Sequence, residues 1–139
     1  MRHRVLKEAL NLVSETPFSG PNWCGKFILL TLQNAGLVPE WKAIDDAPGA
    51  MICSRLKLVK SPMVGDIVKF TVHYGIFIGF TYGERYSQRI RIGRLIRDID
   101  VVSVNGGSYK DAVYMSRRPM HPKTEFYSIE CILGVTTHE

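Results

Sequence analysis

The chain is poor in cysteine, and the three present, Cys24, Cys53 and Cys131, form an odd set without metal-ligand spacing. Neither a disulfide framework nor a zinc site is indicated, and no cofactor motif is present. No stretch approaches the ~20 consecutive apolar residues of a membrane span. Internal repeats, low-complexity tracts and Ser/Gly-rich linkers are also missing, which excludes solenoids and tandem arrays. The 139 residues therefore read as a single domain, 1–139, of ordinary size. A leader is not indicated either: Met1–Val13 starts basic, but Lys7, Glu8 and Asn11 interrupt what would be its apolar core. Val5, Leu6, Ala9, Leu10 and Val13 recur instead as the inward stripe of an amphipathic helix. The expectation is a protein made in the cytoplasm without a classical signal peptide. Zinc-finger, recognition-helix and aromatic–basic interleaving patterns are absent, so nucleic acid is not the expected partner despite a net charge of +5. The excess of Arg85, Arg89, Arg91, Arg94, Arg97, Lys110, Arg117, Arg118 and Lys123 reads first as a solvated face, and second as affinity for an anionic surface.

What is present begins with Pro21-Asn22-Trp23-Cys24-Gly25-Lys26-Phe27-Ile28-Leu29-Leu30. Asn22 is a good N-cap, and Ala35-Gly36 gives the stop of a largely buried helix carrying Phe27, Ile28, Leu30 and Leu32. Cys24 falls in its first turn, where unpaired N–H groups and the positive end of the helix dipole favour a thiolate nucleophile. A buried structural cysteine is the plainer alternative at this position. Cys53 and Cys131 lie inside apolar runs and are expected to be core thiols.

Gly65–Phe70 and His73–Gly79 read as two short strands with a tight connection. His73 would open the second strand, with Gly75 leaving one face beside the imidazole bare for a substrate. Asp98–Asn105 reads as a third strand whose alternation places Val101, Ser103 and Asn105 on one face. Asn105 could accept the second imidazole N–H and fix the ring's tautomer. Asn105-Gly106 is equally a hairpin-turn signal.

With these residues in order, the chain resembles the papain-like cell-wall cysteine peptidases, the CHAP family with its NlpC-like relatives, and small phage-associated members in particular. The resemblance rests on Trp23-Cys24-Gly25-Lys26-Phe27 at a helix start, Pro62-Met63-Val64-Gly65-Asp66-Ile67-Val68, His73-Tyr74-Gly75-Ile76-Phe77-Ile78-Gly79 and Val104-Asn105-Gly106-Gly107. It departs where many CHAP members carry a glutamate two positions ahead of the asparagine, since Ser103 stands there. The resemblance implies a peptidoglycan hydrolase, a cysteine endopeptidase or amidase, acting at the bacterial cell wall or periplasm after phage or secretion-system delivery. A cognate inhibitor protein is left open as a further partner.

The fold expected is α+β, a papain-like (CHAP/NlpC-like) arrangement with helices packed on one face of a five- or six-stranded antiparallel sheet. The expected strands are the two above, Gln88–Leu95, Val101–Asn105, Ala112–Arg117 and Tyr127–Leu133, with an irregular stretch from about 38 to 63. Leu37–Lys60 would flank the cleft. Trp23, Tyr74 and Trp41 are the expected substrate-binding residues, lining a groove for a peptide or sugar stem. Cys24, His73 and Asn105 would hydrolyse an amide through an acyl-enzyme, with the backbone N–H of Cys24 as one oxyanion donor. Two other readings are carried: deamidase or transglutaminase chemistry on the same fold, and a non-enzymatic wall-binding or virion structural module.

Overall fold

The computed structural model describes residues 1–13, 23–42, 48–71, 73–83, 96–104 and 113–133. The elements in chain order are α1 (Arg2–Asn11), α2 (Trp23–Asn34), α3 (Pro48–Ser54), β1 (Lys57–Val59), β2 (Ile67–Lys69), β3 (Tyr74–Gly83), β4 (Ile96–Val104), β5 (Val113–Pro119), β6 (Glu125–Ser128) and α4 (Glu130–Leu133). The architecture is α+β. The six strands form one antiparallel sheet in the order β1-β6-β2-β3-β4-β5, so the first and last strands in sequence pair at one edge while β2 to β5 run as a meander.

Helix α1 buries Val5 and Ala9 as the stripe predicts, whereas Leu10 is left more than a third exposed. Helix α2 buries Phe27, Ile28, Leu29, Thr31, Leu32 and Ala35, positions that cover most of its circumference, because it is enclosed by α1, α3 and the sheet. Its stop is a Schellman motif: the Leu37 N–H donates to Leu32 O at 3.0 Å and the Gly36 N–H to Gln33 O at 2.9 Å, with Gly36 at φ +83°. The stretch expected to be irregular contains a further helix, α3. Pro48 and Gly49 open it, since proline is well suited to a first helical turn.

Two apolar clusters lie on the two sides of the sheet. On the helix side, Ile67, Ile76, Val102, Val104 and Val113 meet Val5, Ala9, Phe27, Ile28, Leu32 and Ile52. On the other side, Val68, Phe77, Ile99, Val101 and Phe126 form a smaller cluster, joined by Val59, Phe70 and Phe80. The rings of Phe77, Phe80 and Phe126 meet edge to face with centroids 5.0 to 5.7 Å apart. A bulge between Phe77 and Gly79 shifts the register, which lets Phe77 and Phe80 share that side although three positions separate them.

The sheet is coiled. Arg118 belongs to β5 and Phe70 to the end of β2, three strands away, roughly 14 Å in a flat sheet; yet the Arg118 guanidinium carbon stands 5.4 Å from the centroid of the Phe70 ring. Twist has brought opposite corners together, making this side the concave one.

Asp66 ties the elements at the other end. Its carboxylate is 1% exposed and accepts from the Met63 N–H at 2.8 Å, the Ile129 N–H at 3.0 Å and the Arg2 guanidinium. Arg2 also reaches Glu130 at 3.0 Å. The turn just before Asp66 requires Gly65 at φ +90°, where a side chain would be strained. The Gly-Asp pair is thus a structural knot joining α1, β2 and the β6–α4 junction. Tyr127–Leu133, expected as one strand, divides at this knot: Glu125–Ser128 is strand, and Glu130–Leu133 is helix.

Candidate functional site

Cys24 stands half-buried in the first turn of α2. Its neighbour Gly25 lets α2 and α3 meet without intervening side chains: a methyl at Gly25 would lie 2.5 Å from the Gly49 nitrogen. Gly49 in turn lies flat on the Tyr74 ring, where a methyl would collide with three ring carbons. The stack of Gly25, Gly49 and Tyr74 therefore fixes the start of α2 over the first residue of β3. Burial pushes the Tyr74 phenol up, and negative charge on Cys53 and on Cys24 adds to the effect, so the phenol stays protonated at neutral pH.

Beyond Tyr74 on the helix side is a polar group. Lys69 faces Tyr74 across one ladder and Glu125 across the other. The Lys69 ammonium is 3.7 Å from Glu125 Oε1, and the Tyr127 hydroxyl donates to the same oxygen at 3.0 Å. Burial, followed by that hydrogen bond, pushes the Tyr127 phenol up to about 12. Cys53 is buried beside this group, and its thiol is pushed up to about 12 by burial, opposed by Lys69 and reinforced by Glu125. Cys53 is thus an inert core thiol, as expected. Cys131, expected in the core as well, is exposed on α4, with its sulfur 3.9 Å from Arg55 O. The apolar run that suggested burial is there cut by the turn from strand to helix.

His73 occupies the concave side. The register pairs Ile67 with Ile76, Val68 with Gly75 and Lys69 with Tyr74, and the Phe70 N–H donates to His73 O at 2.7 Å, extending the ladder by one pair. Phe70 and His73 are thus cross-strand neighbours on the side of Val68 and Gly75, while Tyr74 points to the helices. Their ring centroids are 6.0 Å apart, and Arg118 lies over the Phe70 ring. Nε2 of His73 is buried without a hydrogen-bond partner. Burial, aided by the charge of Arg118, pushes the imidazole down to about 4, which leaves it neutral at pH 7 and a proton acceptor.

The structure therefore sets the start of α2 over Tyr74 and does not join Cys24 to His73: among the described residues no hydrogen bond links sulfur and imidazole, α2 packs on the helix side of the sheet, and His73 projects from the other side of the β2–β3 ladder. The bare space expected beside His73 is filled, since a methyl at Gly75 would run into the Val101 side chain, with Ser103 Cβ at 3.2 Å. Val101 and Ser103 do share one side, as the alternation predicts. Asn105, the expected orienting residue, and Asn22, the expected cap, lie outside the described residues, as does Gln88–Leu95. Trp23 begins α2, but its side chain lies outside the description. Trp41 packs against the helix-side core beneath Arg55, 5.2 Å from its ring, and its carbonyl accepts from Gln33 Nε2 at 2.6 Å; packing accounts for it. Of the basic residues read as a solvated face, Arg117 is paired with Asp100 at 2.7 Å, and Arg118 is turned into the concave side.

Sequence reading missed Arg118 and the Lys69–Glu125–Tyr127 group. Alternation along β2 would have placed Lys69 on the Tyr74 side, but only the pairing of β6 with β2 brings Glu125 to it. Among the described residues no helix is long and apolar enough to cross a membrane. No protein-family model, no curated protein and no solved structure matches this chain.

Proposed function

We propose that the chain is a papain-like, CHAP/NlpC-like cysteine hydrolase that cuts amide bonds of bacterial cell-wall peptides, with Cys24 as nucleophile and His73 as general base. The observation that carries this reading is the seat of Cys24: a partly exposed thiol in the first turn of a buried helix, held by glycine contacts over the residue that follows His73. Its support in sequence is the order of the Trp23-Cys24, Gly65-Asp66 and His73-Tyr74-Gly75 segments.

In the reaction, neutral His73 takes the thiol proton and the sulfur attacks the scissile carbonyl, forming the C–S bond while the carbonyl electrons move to oxygen. The backbone N–H of Cys24 faces that oxyanion. Collapse breaks the C–N bond, and imidazolium gives its proton to the departing amine. Water, deprotonated by His73, then releases the acid and restores the thiol. Proton transfer needs the imidazole on the Cys24 side of the hairpin end, a displacement of the single residue that precedes β3. Asn105 would orient the ring, and peptidoglycan would be met at the wall after phage or secretion-system delivery.

A second reading, a non-enzymatic wall-binding or virion module on the same fold, is favoured by one observation: His73 is packed on the concave side with Nε2 unpartnered. Digestion of purified peptidoglycan with mass spectrometry of the released muropeptides separates the two. New amine and carboxyl ends are expected from the parent protein, and Cys24→Ala should lose several orders of magnitude in rate while keeping its fold. Equal cleavage by both forms sinks the assignment of the nucleophile; no cleavage by either favours the module.

A further inference from the structure

We infer that Phe70 and Arg118 form a latch that holds His73 on the concave side of the sheet, so that the enzyme rests chiefly with its thiol and imidazole apart and turns over faster when the end of the β2–β3 hairpin is released. This rests on the hydrolase reading given above and adds a regulated resting state to it.

The observations are geometric. Phe70 and His73 are the last cross-strand pair of the hairpin, and their rings lie at 6.0 Å and 31°. Arg118 reaches Phe70 from the opposite corner of the coiled sheet, its guanidinium carbon over the ring at 5.4 Å from the centroid. The next residue, Tyr74, packs on the helix side against Gly49, which meets Gly25 at the start of α2, so the chain neighbour of His73 faces the helix that carries Cys24 while the imidazole itself stands on the other side of the ladder. The held position is also a poor one for an imidazole. Nε2 is buried with no partner, and Ser103 Oγ and Ser116 Oγ on the same side are buried without partners too. A buried polar atom left unpaired is unfavourable and marks stored strain. Packing against Phe70, and no hydrogen bond at Nε2, therefore keeps the imidazole in place, and loss of the cation stacked on Phe70 loosens that packing.

The test is site-resolved alkylation of the full chain with iodoacetamide at pH 6, read as the rate at Cys24 relative to exposed Cys131, since a thiolate paired with imidazolium alkylates where an ordinary thiol is slow. In the parent protein the ratio should be unaffected by His73→Ala. Arg118→Met should raise it roughly tenfold, the population change expected from losing one partly desolvated cation–π contact, and adding His73→Ala should remove the gain. Phe70→Leu, which deletes the shared ring, should act in the same direction and serves if Arg118→Met does not fold. A parent protein whose Cys24 reactivity already depends on His73 overturns the latch, as does an unchanged ratio in folded Arg118→Met or Phe70→Leu. Digestion of peptidoglycan is scored separately. Cys24-dependent digestion with no rise in the ratio removes the latch and keeps the hydrolase, whereas a His73-dependent rise without digestion keeps the latch and removes the substrate.

Discussion

The two sides of the β2–β3 ladder are built differently. The helix side carries the larger apolar cluster and a set of paired polar groups, Lys69 with Glu125, Tyr127 with Glu125, and Asp66 with Arg2 and two backbone amides, with Thr31 Oγ1 buried there without a partner. The concave side is smaller and aromatic, and it keeps His73 Nε2, Ser103 Oγ and Ser116 Oγ buried without partners. A side tied by buried ion pairs and their hydrogen bonds resists rearrangement, and one held by ring packing yields more readily. The helix side holds Cys24, and the concave side holds the His73 imidazole.

The largest stability effect should come from breaking the helix side at its knot. Asp66→Ala strands the Arg2 guanidinium and two amides, and should cost about 3 kcal/mol or more in urea unfolding, as loss of one partner of a buried ion pair does. If it costs under about 1 kcal/mol, Asp66 is not the tie between α1 and β6.

The concave side should reveal itself through pH. His73 is pushed down from 6.5 to about 4 in the folded chain, so below pH 6.5 the unfolded chain binds a proton that the native one refuses. Stability should fall as pH drops through this window and level off below about 4, by up to about 3 kcal/mol from this group. His73→Gln should flatten that limb in denaturation curves measured from pH 7 to 4. An unchanged limb would mean that the imidazole is not held neutral by its surroundings.

A smaller effect is expected at the seat of Cys24. Gly25→Ala drives a methyl into the Gly49 backbone, and should cost about 2 kcal/mol by overpacking. It should also tilt the start of α2 and change the alkylation rate of Cys24 more than that of Cys131. A variant as stable and as reactive as the parent would show that α2 and α3 do not need this close approach.

Much of the scaffold was legible because it rests on local signals. The 3.6-residue stripe of α1, the Gly36 stop of α2 and the β-branched runs of β2 and β3 each specify their own element. The α3 helix was not legible, because Pro48-Gly49 is a breaker by composition and becomes a helix start only when Gly49 is covered by Tyr74 and Gly25. The exposed position of Cys131 depends on where β6 stops, which the Asp66 carboxylate sets from 63 residues away by accepting the Ile129 N–H. Within the candidate site, Cys24 was readable as a helix-start thiol. The side taken by His73 was not, since which residues of β3 face the helices is decided by the pairing of Lys69 with Tyr74. Arg118 was out of reach for a related reason: only the coiling of four strands brings it to Phe70.

The nucleophile can be tested most directly by acid-quenching the protein during turnover of peptidoglycan-derived peptides and mapping the covalent adduct by intact-mass and peptide mass spectrometry. A thioester on Cys24, with none on Cys53 or Cys131 and none in Cys24→Ala, is the result expected here. Product formation at an undiminished rate in Cys24→Ala, or an acyl group mapped to another residue, would contradict it.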